Sequence, residues 1–279
     1  MITDWQSWSP PVGSPLFALI SGPTEPEYWR ACQEGAAESL GLGGRYFHFA
    51  VEQSDFHPLV EQLREWGFVG ANVAEPYLVM AARLAPKLFV SRFSLGVANV
   101  LHFSDEIYAM NSEVHAFGTI LSGVTPGRAL ILGSGRSARE AGLYLLDAGW
   151  KVRVWSQSLR RMKLLQSTLA RYVPIEICAA PDPSDCSLVI NCTNIGRKAG
   201  EKPPLEWRAV RPRTAFIDTV YRRVPTEFLR EASLRGFRTV DGREVIVESL
   251  AASWHFWIQK RPDINALRVP AGLKPFLNS

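Results

Sequence analysis

No run of apolar residues in this 279-residue chain approaches the roughly 20 needed to cross a bilayer, so no segment reads as a membrane span. The opening residues, Met1-Ile2-Thr3-Asp4-Trp5, lack the basic and apolar stretches of a secretory leader. Cysteine is sparse. Cys32, Cys178, Cys186 and Cys192 never fall in C-x-x-C spacing, and the five histidines form no ligand cluster. A disulfide framework and a structural zinc are therefore both unexpected, and a reduced, cytoplasmic protein without metal is the expectation. Charge of one sign is not concentrated either. Lys and Arg number 31 against 27 Asp and Glu, a net of +4, and the basic clusters Arg160-Arg161 and Arg222-Arg223 are short. That pattern carries no nucleic-acid footprint. Internal repeats and low-complexity segments are missing. What is present is an ordinary globular composition, 47% apolar and 21% charged, on a chain long enough for two cores.

Strand-like and helix-like segments alternate, which predicts an α/β protein. The pattern predicts strands over 16–20, 46–51 and 69–73, and helices over 27–40, 56–66 and 77–84. An extended pair is expected around 96–103. Further strands are expected at 175–179, 188–191, 215–218 and 237–240, with helices at 226–235 and 244–259. Residues 9–15 read as an extended lead-in, and 261–279 as a proline-rich tail with little periodicity.

Residues 133–138 read Gly-Ser-Gly-Arg-Ser-Ala, between the apolar run 129–132 and a helix-like segment at 139–146. Strand, glycine turn and helix start in that order form a dinucleotide-binding signal. Gly133 permits the tight turn, Gly135 lets backbone approach a pyrophosphate, and Ala138 packs closely on the strand. The helix N-terminus offers free N–H groups to the anion, so Gly133, Ser134, Gly135, Arg136, Ser137 and Ala138 are candidate cofactor contacts. A second strand, 152–155, ends in Ser156-Gln157-Ser158-Leu159-Arg160-Arg161. An acid there would bind a free ribose 2′-hydroxyl, and none is present. Ser156, Gln157, Ser158 and Arg161 suit a 2′-phosphate, so NADP is expected over NAD.

On further segments the chain resembles the shikimate dehydrogenase family over nearly its whole length. Gly70-Ala71-Asn72-Val73-Ala74-Glu75-Pro76-Tyr77-Leu78 matches the family's G-x-N-V-T-x-P-H-K, and 96–100 matches G-A-V-N-T. Asn111-Ser112-Glu113 matches N-T-D. Asn191-Cys192-Thr193-Asn194-Ile195-Gly196 matches N-T-T-P-x-G, and Asp218 to Tyr221 matches D-x-x-Y. Asp241-Gly242 opens the closing pattern, which runs through Ser249 to Trp257. The resemblance implies an N-terminal substrate domain, 1–108, with a mostly parallel sheet that includes one antiparallel strand. A C-terminal segment, 244–279, would complete it. A Rossmann dinucleotide-binding domain would span 109–243, with a cleft between the two. It further implies that Cys192, Thr193, Asn194 and Gly242 line the cofactor.

Departures from the family bear on chemistry. A lysine and an aspartate hold the reacting hydroxyl in the family; here those positions carry Leu78 and Glu113. The serines for the substrate carboxylate align with Glu27 and Trp29, the motif threonine with Ala74, and the late glutamine with Ser249. Asn99 and Tyr221 are retained. Substrate contacts are therefore expected from Asn99, Glu27, Trp29, Tyr221 and Ser249. Proton transfer would fall to Glu113 or Tyr77. Extra negative charge disfavours a carboxylate substrate, and mutual repulsion is expected to raise the pKa of Glu27 or Glu113. Trp29 could stack on a cation. Trp254 to Trp257 read as a packed helix face, and Cys192 as a small buried residue. The expectation is an NADP-dependent oxidoreductase acting on a small molecule other than shikimate, such as an amine or imine. The alternatives are a catalytically inactive NADP-binding pseudoenzyme or regulatory protein, and a weak shikimate or quinate dehydrogenase. A homodimer stays open.

Overall fold

A computed structural model of the chain describes residues 1–13, 15–23, 27–85, 87–89, 96–170 and 174–276, without the side chains of 27, 28 and 87–89. The chain divides into two compact units. One comprises Met1–Val90, Gly96–Ser112 and Ser249–Ser279; the other is built on Glu113–Glu248.

In the first unit, the elements in chain order are β1 (Leu16–Ser21), α1 (Glu27–Ser39), β2 (Tyr46–Ala50), α2 (Phe56–Glu65), β3 (Phe68–Val73), α3 (Leu78–Leu84), β4 (Lys87–Phe89), β5 (Val100–Phe103) and β6 (Ile107–Met110). Their sheet order is β2-β1-β3-β5-β6-β4. Strand β5 runs antiparallel to both neighbours, β3 and β6, and the other pairings are parallel. Every residue of β1 is buried. A parallel strand covered on both faces reads as a continuous apolar run, which Leu16 to Ile20 supply.

The second unit contains α4 (Ser112–Ile120), β7 (Arg128–Leu132), α5 (Arg136–Asp147), β8 (Lys151–Trp155), α6 (Leu159–Leu169), β9 (Glu176–Ile177), β10 (Leu188–Asn191), β11 (Ala215–Asp218), α7 (Glu227–Leu234) and β12 (Arg238–Val240). Its sheet is wholly parallel in the order β12-β11-β10-β7-β8-β9. Counted from β7, that is the doubly wound order 3-2-1-4-5-6, with the switch point between β7 and β10. Ile131, Val154 and Ile190 pack with Leu143 and Leu165 in one core layer, and Phe216 and Phe228 anchor another. The long helix α8 (Gly242–Ile258) begins in this unit and ends in the first. There Trp254 and Trp257 lie against Phe17, with ring centroids 4.6 and 5.1 Å away.

Several elements depart from expectation, among them helix α4 and strand β4, which were not expected. The strand expected over 175–179 shrinks to Glu176–Ile177. Residues 159–169, read only as a strand end, form α6, with Ser158 as its N-cap. The tail contains α9 (Ile264–Arg268), which sits on α1 and receives the Cys32 thiol at the Leu267 carbonyl. Among the described residues, no helix is long and apolar enough to cross a membrane.

Candidate dinucleotide site and the polar core of the first unit

The glycine turn follows β7 at the switch point of the second sheet. Gly133 has φ +120°, and its N–H donates to the Trp155 carbonyl at 2.7 Å. A Cβ at this position would lie 2.6 Å from the Cys192 carbonyl oxygen. Only glycine fits there, on both conformational and steric grounds. Gly135 is the opposite case: a Cβ would meet nothing within 4 Å. It caps α5 without a side-chain hydrogen bond. A helix start without a side-chain cap, with its dipole, suits an anion.

Ser156 ends β8, and its hydroxyl lies 2.9 Å from the Ser134 hydroxyl, which ties the two turns together. Ser158 Oγ accepts the Arg161 N–H at 3.4 Å, so this serine caps α6. Gln157, Arg160 and Arg161 are exposed. An open glycine edge, an uncapped helix start and a second turn with hydroxyls, arginines and no acid fit the phosphates of a dinucleotide.

Beside this turn stands a buried ionic cluster. Arg136 Nη1 donates to Glu113 Oε1 at 2.8 Å and to Glu140 at 2.9 and 3.1 Å. The Glu140 side chain is wholly buried, while Glu113 and Arg136 keep 24% and 31% of theirs exposed. Burial pushes the Glu113 carboxyl up, but Arg136 and the hydrogen bonds with Arg136 and Glu140 outweigh it and hold the group below its usual value. The rise expected for Glu27 or Glu113 does not fall on Glu113, whose carboxyl a guanidinium neighbour holds low. The i,i+4 spacing of Arg136 and Glu140 was visible in the sequence, but its reach to Glu113 was not.

The 191–196 segment is held from beneath. Asn191 Oδ1 accepts the Thr193 N–H and hydroxyl at 3.1 and 2.7 Å, and its Nδ2 donates to Asp218 at 2.9 Å. Asp218 also accepts from the Val220 N–H and, at 2.6 Å, from the Thr226 hydroxyl. Burial pushes the Asp218 carboxyl up to about 6 despite these donors. Cys192 is buried, and burial raises its thiol pKa well above the ordinary value, so it packs against the turn as a neutral thiol. Asn194 is exposed. Gly242 starts α8 where a Cβ would fall 2.5 Å from the Val220 carbonyl, so close packing alone accounts for this glycine. Tyr221 is half-buried.

The first unit holds the remaining candidates. Tyr77 is buried; its hydroxyl donates to the Val51 carbonyl at 2.5 Å, and its ring stacks on Phe56. Burial, then Glu52 and Asp55, raise its pKa. Tyr77 is accordingly a packing residue, its proton committed to a main-chain oxygen. Leu78 is buried at the start of α3. Asn99 Oδ1 accepts the Ser112 N–H at 2.7 Å and its hydroxyl at 3.2 Å; Ser112 Oγ lies 2.5 Å from Ser249 Oγ. Asn99 and Ser249, expected at a substrate, are thus brought together through Ser112. Trp29 is half-buried on α1, and its indole N–H is buried without an acceptor among the described residues. Glu27 opens α1, but its side chain lies outside the described residues.

No family model matches the chain. Individual relatives do. Shikimate dehydrogenase (NADP(+)) of Rhodopseudomonas palustris (strain HaA2) is 31% identical over 237 residues, covering 82% of this chain and 84% of that protein. The protein of the same name from Cereibacter sphaeroides (strain ATCC 17029 / ATH 2.4.9) is 29% identical over 267 residues, covering 91% and 92%. Among solved structures, ligand-free 5-ketofructose reductase of Gluconobacter sp. strain CHM43 has a TM-score of 0.86 at 21% identity, covering 94% of this chain and 99% of that one. Shikimate 5-dehydrogenase of Thermus thermophilus, in complex with NADP(H) and shikimate, has a TM-score of 0.79 at 24% identity, covering 92% and 98%. At these identities the two structures establish a shared fold.

Proposed function

Because the chain belongs to the shikimate dehydrogenase family, we propose that it is an NADP-dependent oxidoreductase whose substrate is not shikimate. The single observation that carries the second half is Leu78. In the motif alignment Leu78 falls where the family has its lysine; its side chain is buried and aliphatic, and it can neither donate nor accept a proton. The first half rests on the glycine turn, whose open edge and uncapped helix start suit a pyrophosphate. The 156–161 turn, free of acids, suits a 2′-phosphate.

When bound, NADP(H) supplies the hydride chemistry. This chain's own residues would do the rest. The N–H groups of Arg136, Ser137 and Ala138 would hold the pyrophosphate, and Ser156, Ser158 and Arg161 the ribose phosphate. Gly133 and Cys192 would shape the floor of the turn. Glu113 would offer an ionised carboxylate to a hydroxyl or to a cationic nitrogen. An uncharged carbonyl compound or an amine/imine pair fits that charge better than a carboxylate. The solved relative named 5-ketofructose reductase is in keeping with a non-shikimate substrate in this fold.

The test titrates purified protein with NADPH and NADH, then assays shikimate, quinate, neutral polyhydroxy ketones and cyclic imines. The expected result is tighter NADPH binding, turnover of a ketone or imine, and negligible shikimate oxidation. General acid–base help of the missing kind is worth about 10²–10⁴ in rate. Leu78→Lys is expected to lower stability and not to restore shikimate oxidation. Shikimate oxidation at an ordinary enzymatic rate would overturn the proposal. Tight NADPH binding with no turnover across the panel would favour the nucleotide-binding pseudoenzyme.

A further inference from the structure

Asp218 ends β11 and Asn191 ends β10, paired in the parallel register and both wholly buried. Three uncharged donors bond the Asp218 carboxylate: Asn191 Nδ2 and the Val220 N–H, each at 2.9 Å on Oδ1, and the Thr226 hydroxyl at 2.6 Å on Oδ2. Among the described residues no cation forms an ion pair with it. Arg222 donates to the Gly196 carbonyl at 3.4 Å and not to the carboxylate. Asp241, itself paired with Arg243, lies in electrostatic range, and the Cys192 thiol is neutral. The hydrogen bonds carry the Asp218 charge outward. Asn191 turns its amide N–H to Asp218 and its Oδ1 to the Thr193 N–H and hydroxyl, at 3.1 and 2.7 Å. Thr193 Oγ1 in turn accepts the Ile195 N–H at 3.0 Å. Each dipole in this chain has its negative end away from the carboxylate, so the bonds polarise one another and extend the negative potential into the 191–196 turn. That turn lies against the glycine turn, since a Cβ on Gly133 would fall 3.1 Å from the Thr193 nitrogen. With a pyrophosphate on α5 and a ribose phosphate at the end of β8, the second nucleotide, the nicotinamide one, falls on the β10–β11 half of a doubly wound sheet. There α7, which follows β11, is closed by a Thr226 side-chain cap, where α5 has none. The first half suits phosphates; the second holds a buried negative charge.

We infer that Asp218 sets the redox-state preference of the site: its charge, relayed by Asn191 and Thr193, makes the β10–β11 half favour the oxidised, cationic nicotinamide of NADP⁺ over the neutral ring of NADPH. This rests on the reading that the glycine turn is a dinucleotide site. The two cofactor forms share their phosphates and adenosine and differ by one hydride, hence by one unit of charge on the ring. A buried carboxylate with no cation of its own is compensated by that ring charge, and only in the oxidised form. The same charge develops as hydride leaves the reduced ring, so Asp218 favours hydride donation, the direction that reduction of a ketone or imine requires. Asp218 does this through the turn. It is a specificity-determining residue and not a catalytic one.

Isothermal titration of the intact protein with NADP⁺, NADPH and adenosine 2′,5′-bisphosphate at pH 7.5 reads the preference. That pH lies above the Asp218 value of about 6, so the carboxylate carries its charge. Asp218→Asn should weaken NADP⁺ by about three- to tenfold more than it weakens NADPH, as for a charge that acts through protein and not in contact. Tenfold in that ratio is about 30 mV in the two-electron potential of the bound couple. Adenosine 2′,5′-bisphosphate has no nicotinamide and should bind wild type and variant alike. A merely structural role would weaken NADP⁺ and NADPH together and leave their ratio where it was. The shift should persist at high salt, because a buried charge is screened little. Thr193→Val, which ends the relay, should move the ratio the same way by a smaller factor, and Thr193→Ser should not. That pair decides should Asp218→Asn fail to fold. A ratio unchanged in Asp218→Asn, or in Thr193→Val where that variant decides, overturns the inference and leaves the dinucleotide site standing. Absence of binding of all three probes to the wild-type protein overturns the dinucleotide reading instead.

Discussion

Asn72 of the first unit is ringed by partners: it accepts from Gln33 at 2.5 Å and Tyr46 at 3.0 Å, and donates to Ser253 at 2.9 Å. Trp254 continues the chain with a 2.6 Å bond to Gln33. The glycine turn of the second unit is built the other way. Its side chains bond among themselves, but the first-turn N–H groups of α5 have no side-chain cap and Gly135 faces open space. Buried polar groups must be paired, so motif residues such as Asn72, Asn99 and Asn191 are pinned by neighbours and hold the architecture. A ligand-facing element shows instead as an open glycine edge beside a helix start without a side-chain cap. Residue type alone does not separate the two: Tyr77 and Glu113 are both titratable side chains in family motifs, yet one is sealed on a carbonyl and the other stands beside the glycine turn.

The two glycines of the turn put this contrast to its most severe test. Gly133→Ala places a methyl 2.6 Å from the Cys192 carbonyl, at φ +120°. Strain of this backbone kind costs roughly 1–3 kcal/mol, and the overlap adds to it. Thermal unfolding should show a clear loss of stability, and NADPH binding should vanish. Gly135→Ala meets no atom within 4 Å and lies at negative φ, so stability should hold or rise slightly. NADPH affinity should nevertheless fall, because the methyl would fill the approach of the phosphates. Equal effects of the two variants on stability would mean that the turn is mere scaffold.

Much of this was legible in the sequence, for identifiable reasons. Buried parallel strands such as β1, β10 and β11 were visible because they are apolar on both faces, and β10 and β11 match their expected spans residue for residue. The glycine turn showed because only glycine fits beside the Cys192 carbonyl. Helix α6 was missed although Ser158 is a good N-cap, since the 156–161 stretch was weighed for phosphate binding and not for its helical period. The role of Tyr77 was hidden because its partner, Val51, is a main-chain oxygen 26 residues away. For Glu113 the partner within its own unit, Arg136, left no trace in the sequence. Repulsion from Glu27 was considered, but the residue that governs it is Arg136, 23 positions downstream in sequence. Long-range side-chain pairs leave no periodic trace.

A milder perturbation tests whether the pinned residues are structural. Asp218 is fully buried, its carboxyl raised to about 6 by burial against an ordinary 3.8. The sign follows from proton counts. Between pH 3.8 and about 6 the folded chain holds more protons here than the unfolded chain, so this group makes stability fall as pH rises through that window. Asp218→Asn removes the titration. The difference in denaturation midpoint between wild type and variant should therefore drift with pH from about 4 to 6 and level off above it. A difference independent of pH would show that Asp218 is ionised in the fold at all these values, its charge carried by the three donors that surround it.

The mildest change is expected at the exposed rim of the second turn. Arg161 is exposed, and it is the main-chain N–H of this residue, not its guanidinium, that Ser158 caps. Arg161→Ala therefore leaves α6 intact and removes only the charge offered to a 2′-phosphate. Exposed charge pairs contribute about 0.2–1 kcal/mol, so NADPH affinity should weaken by about 1.4- to fivefold, while NADH affinity stays the same. Salt adds a second readout. The Debye length is about 10 Å at 0.1 M salt and about 3 Å at 1 M, so the gap between wild type and Arg161→Ala should close as salt rises. Arg160→Ala is the matched comparison, an exposed arginine one residue earlier on the same helix. If both variants weaken NADPH equally, the turn attracts the cofactor as a diffuse basic surface. If only Arg161→Ala does so, and only for the phosphorylated cofactor, the 156–161 turn selects NADP by a specific contact.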